Sequence, residues 1–282
     1  MKSGVVLRVY GDRALVRCGQ ELAELRPKGS LRKEGLLAGD AVEVLGEHIV
    51  TVRPRENELG RPPVANASIL LAIAAVREPA VSQGDLDRML LQSEAQQLAP
   101  LVVLNKCDLS TEDELAAYSR PYAAAGYPVV RVSTRSGDGI EELRHALPEG
   151  IAVLAGPSGV GKSSILRALT GEDVEIGRMT HKLQRGRHTT RAATLYEVSP
   201  GRMIADTPGF SDLDLPGVAP ERLAQFYPEM EDLGCRFADC WHRAEPDCAV
   251  IRAVAEGRLD VGRYRRYLEF LTELEGRPRR WR

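Results

Sequence analysis

The first fifty or so positions alternate apolar and polar residues in short runs, each broken by a glycine. Val5-Val6-Leu7-Arg8-Val9-Tyr10 stops at Gly11-Asp12, and Ala14-Leu15-Val16-Arg17-Cys18 stops at Gly19. Ala41-Val42-Glu43-Val44-Leu45 follows Gly39-Asp40, and Ile49-Val50-Thr51-Val52 follows Gly46. Four or five short strands with glycine turns in so little chain predict a small β-barrel of the OB or SH3-like kind over residues 1–55. The polar, proline-containing stretch from Arg53 to Pro63 predicts a linker.

The pattern then changes. Continuous apolar runs at Ser68 to Val76, Leu101 to Leu104, Val129 to Val132 and Ile151 to Ala155 read as buried strands. Between them Asp85 to Leu98, Glu112 to Ala125 and Ile140 to Leu147 place apolar residues at helical spacing, and Ser163 to Leu169 opens another helix. Strands alternating with helices predict an α/β domain over residues 56–215, its mainly parallel sheet covered on both faces. After Pro216 the strands stop. Residues 216–282 read as a cysteine/histidine cluster followed by helices, so the whole is a multidomain chain.

At 282 residues there is room for two or three domains. No apolar run approaches the length of a membrane span, and the stretch after Met1 is too short for a secretory signal. A cytoplasmic protein without membrane contact is expected, and nothing in the sequence asks for an oligomer, so a monomer is expected. The net charge of −2 does not mark the whole molecule as a polyanion binder. Positive charge is nearly all arginine, with only six lysines. That suits phosphate or RNA contacts, but a coding bias leaves the same trace.

Candidate chemistry begins at Gly156-Pro157-Ser158-Gly159-Val160-Gly161-Lys162-Ser163, followed by Ser164. This G-x-x-x-x-G-K-[ST] pattern lies between an apolar strand and a helix start, where a phosphate loop has to be. Its glycines let backbone N–H groups point at the β-phosphate. Lys162 would reach the β- and γ-phosphates, Ser163 would hold Mg²⁺, and the helix would offer its positive end to the anion. Downstream, Met203-Ile204-Ala205 runs into Asp206-Thr207-Pro208-Gly209. There Asp206 can hold magnesium through water, and the Gly209 N–H can sense the γ-phosphate.

Asn105-Lys106-Cys107-Asp108 follows the strand Leu101 to Leu104. The Asp108 carboxylate can accept from both N1–H and the amino group of guanine, whereas adenine would leave it unpaired. Asn105 would tie this loop to the phosphate loop, and the Lys106 stem would lie over the base. Ser133 and Thr134 occupy the place of a further guanine-contacting loop. The ligand expected is therefore GTP or GDP.

The order of these motifs is permuted, with the base-reading loops ahead of the phosphate loop. The γ-phosphate-sensing segment consequently leads straight into the C-terminal domain. Nucleotide state is expected to act by pulling on that domain.

Cys235, Cys240, His242 and Cys248 supply three thiolates and an imidazole in one short segment. They fit a structural, tetrahedral Zn²⁺ site in a compact knuckle, free buried thiols being the alternative. Cys18 reads as core filler, and Cys107 fills the permissive position of the guanine motif. Arg263, Arg265, Arg266 and Arg277 to Arg282, with Tyr264, Tyr267 and Trp281, could dock on RNA. A solvated helix face with a frayed tail explains the same residues.

Together these segments resemble the RsgA (YjeQ) family of circularly permuted GTPases. The residues carrying the resemblance are Arg61-Pro62-Pro63-Val64-Ala65-Asn66, Asn105 to Asp108, Gly156 to Ser164, Gly186-Arg187-His188-Thr189-Thr190, Asp206 to Phe210 and the cysteine cluster. The resemblance implies an OB barrel, a permuted GTPase domain and a zinc domain. It also implies GTP hydrolysis coupled to late maturation of the small (30S) ribosomal subunit, with contacts to 16S rRNA. The family's Mg²⁺-contacting threonine falls at Thr190 or Thr189, because Arg191 stands where many members carry another hydroxyl.

Many GTPases orient the attacking water with a glutamine just after D-x-x-G, but Phe210 stands there. His188 is the candidate replacement, an exposed loop histidine being the alternative. Slow hydrolysis by the free protein and acceleration by a partner are expected. Two other classes compete with this reading. A nucleotide kinase or ATPase would use the same phosphate loop, which Asp108 opposes. A zinc-and-barrel RNA-binding protein would use the nucleotide only as a passive switch.

Overall fold

A computed structural model describes residues 1–29, 31, 35–60, 63–171, 193–206, 218–231 and 233–276. The N-terminal strands β1 (Lys2–Tyr10), β2 (Arg13–Cys18), β3 (Glu21–Pro27), β4 (Ala41–Leu45) and β5 (His48–Val52) close in the order β1-β2-β3-β5-β4-β1. Only the β3–β5 pair is parallel. This closure leaves the barrel no free edge of its own. Val6, Ala14, Val16, Leu25, Val42, Val44 and Ile49 fill the interior. Strand β3 escapes the hydrophobic pattern because Leu22 faces solvent while Ala23 and Leu25 face inward.

The expected linker contains a short hairpin, β6 (Glu58–Gly60) against β7 (Pro63–Ala65). Three-residue strands with one buried leucine, Leu59, carry too little pattern to be read in advance. Asn66, at φ 57°, then pins the chain to the barrel. Its amide donates to the Gly39 carbonyl at 2.9 Å, and its oxygen accepts from the Glu56 N–H at 2.8 Å. Gly39, at φ +96°, must be glycine here, since a Cβ would sit 2.0 Å from the Ala65 carbonyl oxygen.

The central sheet consists of β8 (Ala67–Ala74), β9 (Ala99–Leu104), β10 (Val129–Arg131), β11 (Gly150–Ala155), β12 (Thr194–Ser199) and β13 (Arg202–Asp206). Its order is β10-β9-β8-β11-β13-β12, parallel except for β12. Helices α1 (Gln83–Ala95), α2 (Glu112–Ala124), α3 (Ile140–Ala146) and α4 (Lys162–Thr170) cover it. Local chemistry starts two of them. Ser82 accepts from the Asp85 N–H at 3.0 Å ahead of α1, and Thr111 with Glu114 forms a capping box ahead of α2.

From β8 the chain steps outward through β9 to β10. It then returns to β11 on the other side of β8. That reversal opens a crevice at the carboxyl ends of the central strands, the usual ligand position in such sheets. Strand β1 of the barrel continues the same sheet by pairing antiparallel with β12 at Arg8↔Thr194. Arg17 of β2 meets Glu197 of β12 at 2.6 Å.

The C-terminal region has short 3-10 turns at Pro220–Phe226 and Pro228–Met230, then α5 (Ala249–Ala255) and α6 (Val261–Gly276). Its own core gathers Leu223, Tyr227, Met230, Val250, Tyr267, Phe270 and Leu271, with Leu91 of α1 packed into it. The C-terminal region therefore docks on α1. Arg263 is 3% exposed and bonds Asp87 of α1 at 2.7 Å and Glu229 at 2.5 Å. Tyr267 is buried, and Tyr264 donates to a backbone carbonyl at 2.7 Å. For Arg263 and Tyr267 neither RNA docking nor a solvated helix face holds, because these two side chains are buried inside the protein, whereas Tyr264 is half-buried. Arg265 is exposed, and Arg277 to Arg282 lie outside the described residues.

Candidate functional site

Strand ends place the motif residues together. The N-K-x-D segment leaves β9, Ser133 and Thr134 follow β10, the phosphate loop follows β11, and Asp206 ends β13. Asn105 is 1% exposed and donates through Nδ2 to the Val160 carbonyl at 2.9 Å. Its Oδ1 accepts from the Thr134 N–H at 3.4 Å. One carboxamide thus joins three loops.

Lys106 adopts the left-handed conformation at φ 60° and turns its ammonium to the Gly159 carbonyl at 2.9 Å and to the Glu78 carbonyl. Asp108 is the exposed residue of the 3-10 turn Cys107–Leu109, and the buried Ser133 hydroxyl donates to its Oδ1 at 2.6 Å. The Cys107 thiol donates to the Leu104 carbonyl at 3.1 Å, and burial pushes its pKa up, so it stays a neutral thiol beside the site.

In the phosphate loop, Gly161 sits at φ +104° and precedes α4 without any side-chain cap. The first N–H groups of α4 are therefore available to an anion. A Cβ at Gly161 would lie 2.2 Å from Asn105 Nδ2, so the glycine is what lets the two loops meet. Lys162 donates to the carbonyls of Gly156 and Pro157 at 2.7 and 2.9 Å. Burial lowers its pKa and the nearby Asp206 carboxylate works against that, the net shift being downward. A cation held in part-buried surroundings gains from an arriving phosphate. Ser158, Ser163 and Ser164 are exposed at the mouth, and Val160 is buried beneath it. His188, Thr189, Thr190 and Gly209 lie outside the described residues.

The second cluster is in the C-terminal region. The ligand atoms of Cys235, Cys240, His242 and Cys248 all lie within 4.8 Å of one another. His242 Nδ1 is 3.4 Å from Cys248 Sγ and 3.6 Å from Cys235 Sγ. His242 and Asp247 take positive φ, which folds the short segment back on itself. Burial raises the Cys235 thiol's pKa, but the Val250 and Ala249 N–H groups at the start of α5, together with the Cys240 and Cys248 thiols, outweigh it and the net shift is downward. Burial pushes Cys240 up to about 12. It also lowers His242, against Glu245, so the imidazole is neutral with a lone pair to give. Three thiols and a neutral imidazole converging on one point fit a tetrahedral soft-metal site.

A parallel P-loop sheet with N-K-x-D ahead of the phosphate loop, an OB-ordered barrel and a Cys₃His cluster defines a circularly permuted GTPase. The RsgA GTPase family model matches residues 52–216. Small ribosomal subunit biogenesis GTPase RsgA of Moorella thermoacetica is 41% identical over 98% of both chains, and that of Halalkalibacterium halodurans 36% over 99% of both. The crystal structure of YjeQ from Thermotoga maritima superposes with a TM-score of 0.84 at 33% identity, covering 98% of this chain and 99% of that one. YloQ, a circularly permuted GTPase, gives 0.82 at 30%, covering 100% and 97%. The chain belongs to the RsgA GTPase family. Among the described residues no helix is long and apolar enough to cross a membrane.

Proposed function

We propose that this GTPase hydrolyses GTP to GDP and phosphate in late maturation of the small (30S) ribosomal subunit; in support, its relatives are named small ribosomal subunit biogenesis GTPases. The observation that carries this reading is Asp108, held by the Ser133 hydroxyl at 2.6 Å beside the phosphate loop. Its carboxylate accepts from guanine N1–H and the amino group, and an adenine there would leave it unpaired.

Asn105 keeps this loop against the phosphate loop, and Lys106 and Thr134 line the base. Backbone N–H groups of the Gly156 to Ser164 loop, other than at Pro157, which has none, surround the β-phosphate, and Lys162 exchanges its two carbonyls for phosphate oxygens. Ser163 and Thr190 or Thr189 would hold Mg²⁺, with Asp206 acting through water, and the ion would offset charge on the phosphate oxygens. Gly209 senses the γ-phosphate, and His188 positions the attacking water in place of the missing glutamine. Cys235, Cys240, His242 and Cys248 hold one structural Zn²⁺. The protein works as a cytoplasmic monomer on 16S rRNA in the small subunit, which accelerates its slow turnover.

The test is GTP turnover with purified small subunits, with large subunits as control. Stimulation by the small subunit alone supports the reading. No stimulation by either, or equal binding of ATP and GTP, overturns it. In the same assay His188→Ala lowers turnover without weakening GDP binding, and unchanged turnover removes His188 from the mechanism.

A further inference from the structure

The contact between the C-terminal region and α1 is unusual in content. Asp87, Glu229, Arg263 and Arg266 are four charges, balanced two against two, with side chains 1%, 7%, 3% and 14% exposed. Asp87 receives Arg263 on one oxygen and Arg266 on the other. The Arg263 guanidinium is 5.4, 5.3 and 5.1 Å from the rings of Tyr122, Tyr127 and Tyr227. Replacing such a cluster by apolar side chains often stabilises a fold, so its worth is geometric. Two planar guanidinium forks fix how α6 lies on α1.

Both ends of this contact lead to a candidate site. At the α1 end, Arg266 also donates to the Gln83 side chain in the first turn of α1 at 3.1 Å. The segment just before that turn holds the Glu78 carbonyl, which accepts from Lys106 of the guanine motif. It also holds Pro79, against which a Cβ on Gly159 of the phosphate loop would rest at 3.5 Å. At the α6 end, Tyr264 donates to the His242 carbonyl at 2.7 Å and Tyr267 to the Trp241 carbonyl at 2.9 Å. These carbonyls belong to the segment that carries the cysteine and histidine ligands.

We infer that α1 and α6, locked by Asp87, Arg263 and Arg266, couple the guanine-binding crevice to the metal knuckle. This route uses contacts to the guanine motif and the phosphate loop alone, so GDP is sufficient to work it. The inference rests on the nucleotide and metal sites proposed above. A nucleotide that draws Lys106 and the phosphate loop together braces the 78–81 segment and the first turn of α1. Arg266 then passes that restraint to α6, and the tyrosines pass it to the knuckle. Binding at one end changes the other by the same coupling free energy.

The experiment uses the full-length, zinc-loaded protein and measures its zinc affinity by equilibrium competition with a colorimetric chelator, with and without saturating GDP. GDP is expected to tighten zinc binding about fivefold or more, the lower end of ordinary site-to-site coupling. In Arg266→Ala, which leaves Arg263 on Asp87, the GDP effect falls below about twofold while GDP affinity stays within threefold of the parent. Gln83→Ala, a milder change at the same contact, moves in the same direction. Arg88→Ala removes a different α1–α6 ion pair, with Glu273, and keeps the GDP effect. Equal zinc affinity with and without GDP in the parent overturns the coupling, as does a full effect in both Arg266→Ala and Gln83→Ala. Zinc content and GDP affinity, measured on the same samples, show separately whether the two sites exist. A protein lacking either loses the site reading and the coupling together.

Discussion

The buried Ser133 hydroxyl donates to Asp108 Oδ1 at 2.6 Å, across 25 residues of chain. The carboxylate is exposed, yet one of its oxygens is already spoken for. Ser133 therefore aims the other oxygen and the remaining lone pairs at the ligand. Removing the hydroxyl frees Asp108 to rotate. Ser133→Ala is expected to weaken GDP binding by about 1 kcal/mol, roughly fivefold, as read by calorimetry. Asp108→Asn replaces an acceptor by a donor facing two guanine donors, and is expected to cost at least about a hundredfold.

Asn105 and Gly161 form one contact and fail together. Asn105→Ala leaves the Val160 carbonyl without its partner in a buried position, a cost of about 1–3 kcal/mol. Gly161→Ala drives a Cβ into the Asn105 amide and strains a φ of +104°. Both variants are expected to keep the parent's far-ultraviolet circular dichroism while losing most of the GDP-induced rise in Tm. The double variant should lose little more than either alone.

Zinc content tests the cysteine cluster. The purified parent is expected to carry one equivalent by atomic emission, and Cys248→Ala none. Because Cys248 immediately precedes α5, loss of the metal should also lower protection of residues 249–276 in hydrogen exchange. A parent free of zinc under chelator-free purification would count against the site.

Glu245 offers a pH signature. Burial raises its pKa, but the N–H groups of Trp241, of Glu245 itself, and of Arg243 and Ala244 together outweigh that, and the carboxyl ends below its ordinary value. The distances from Trp241, Arg243 and Ala244 are 2.7, 2.8 and 3.1 Å. A depressed carboxyl contributes stability above its unfolded pKa, and this is lost as pH falls through the folded one. Glu245→Gln is thus expected to be less stable than the parent at pH 7, by about 0.5–1 kcal/mol given the solvent around it. The gap should close below about pH 4.

Much of the architecture is legible from the chain because strands β8, β9 and β11 are nearly unbroken apolar runs, and loops with distinctive chemistry follow them directly. The α1–α6 contact is not legible at all. Asp87 and Arg263 are 176 residues apart, and each reads as the polar side of an amphipathic helix. Nothing local distinguishes a buried arginine from a solvated one. Strand β12, Thr194-Leu195-Tyr196-Glu197-Val198-Ser199, is equally quiet, since only Leu195 is fully buried and the strand runs against its neighbour. The joint role of Asn105 was readable as a tie between loops, but its contact with Thr134 depends on where β10 ends.

The pairing of Arg8 with Thr194 has a consequence for colloidal behaviour. Strand β12 is the last of the central sheet, and the barrel occupies the flank where another polypeptide could otherwise add itself. Val5, Leu7 and Leu15 of the barrel wall lean into the main apolar core at the same place. Stripped of its first fifty residues, the enzyme would present an unsatisfied ribbon beside a greasy scar, and would be drawn to self-associate. The small domain is thus also a chaperoning cover for the larger one.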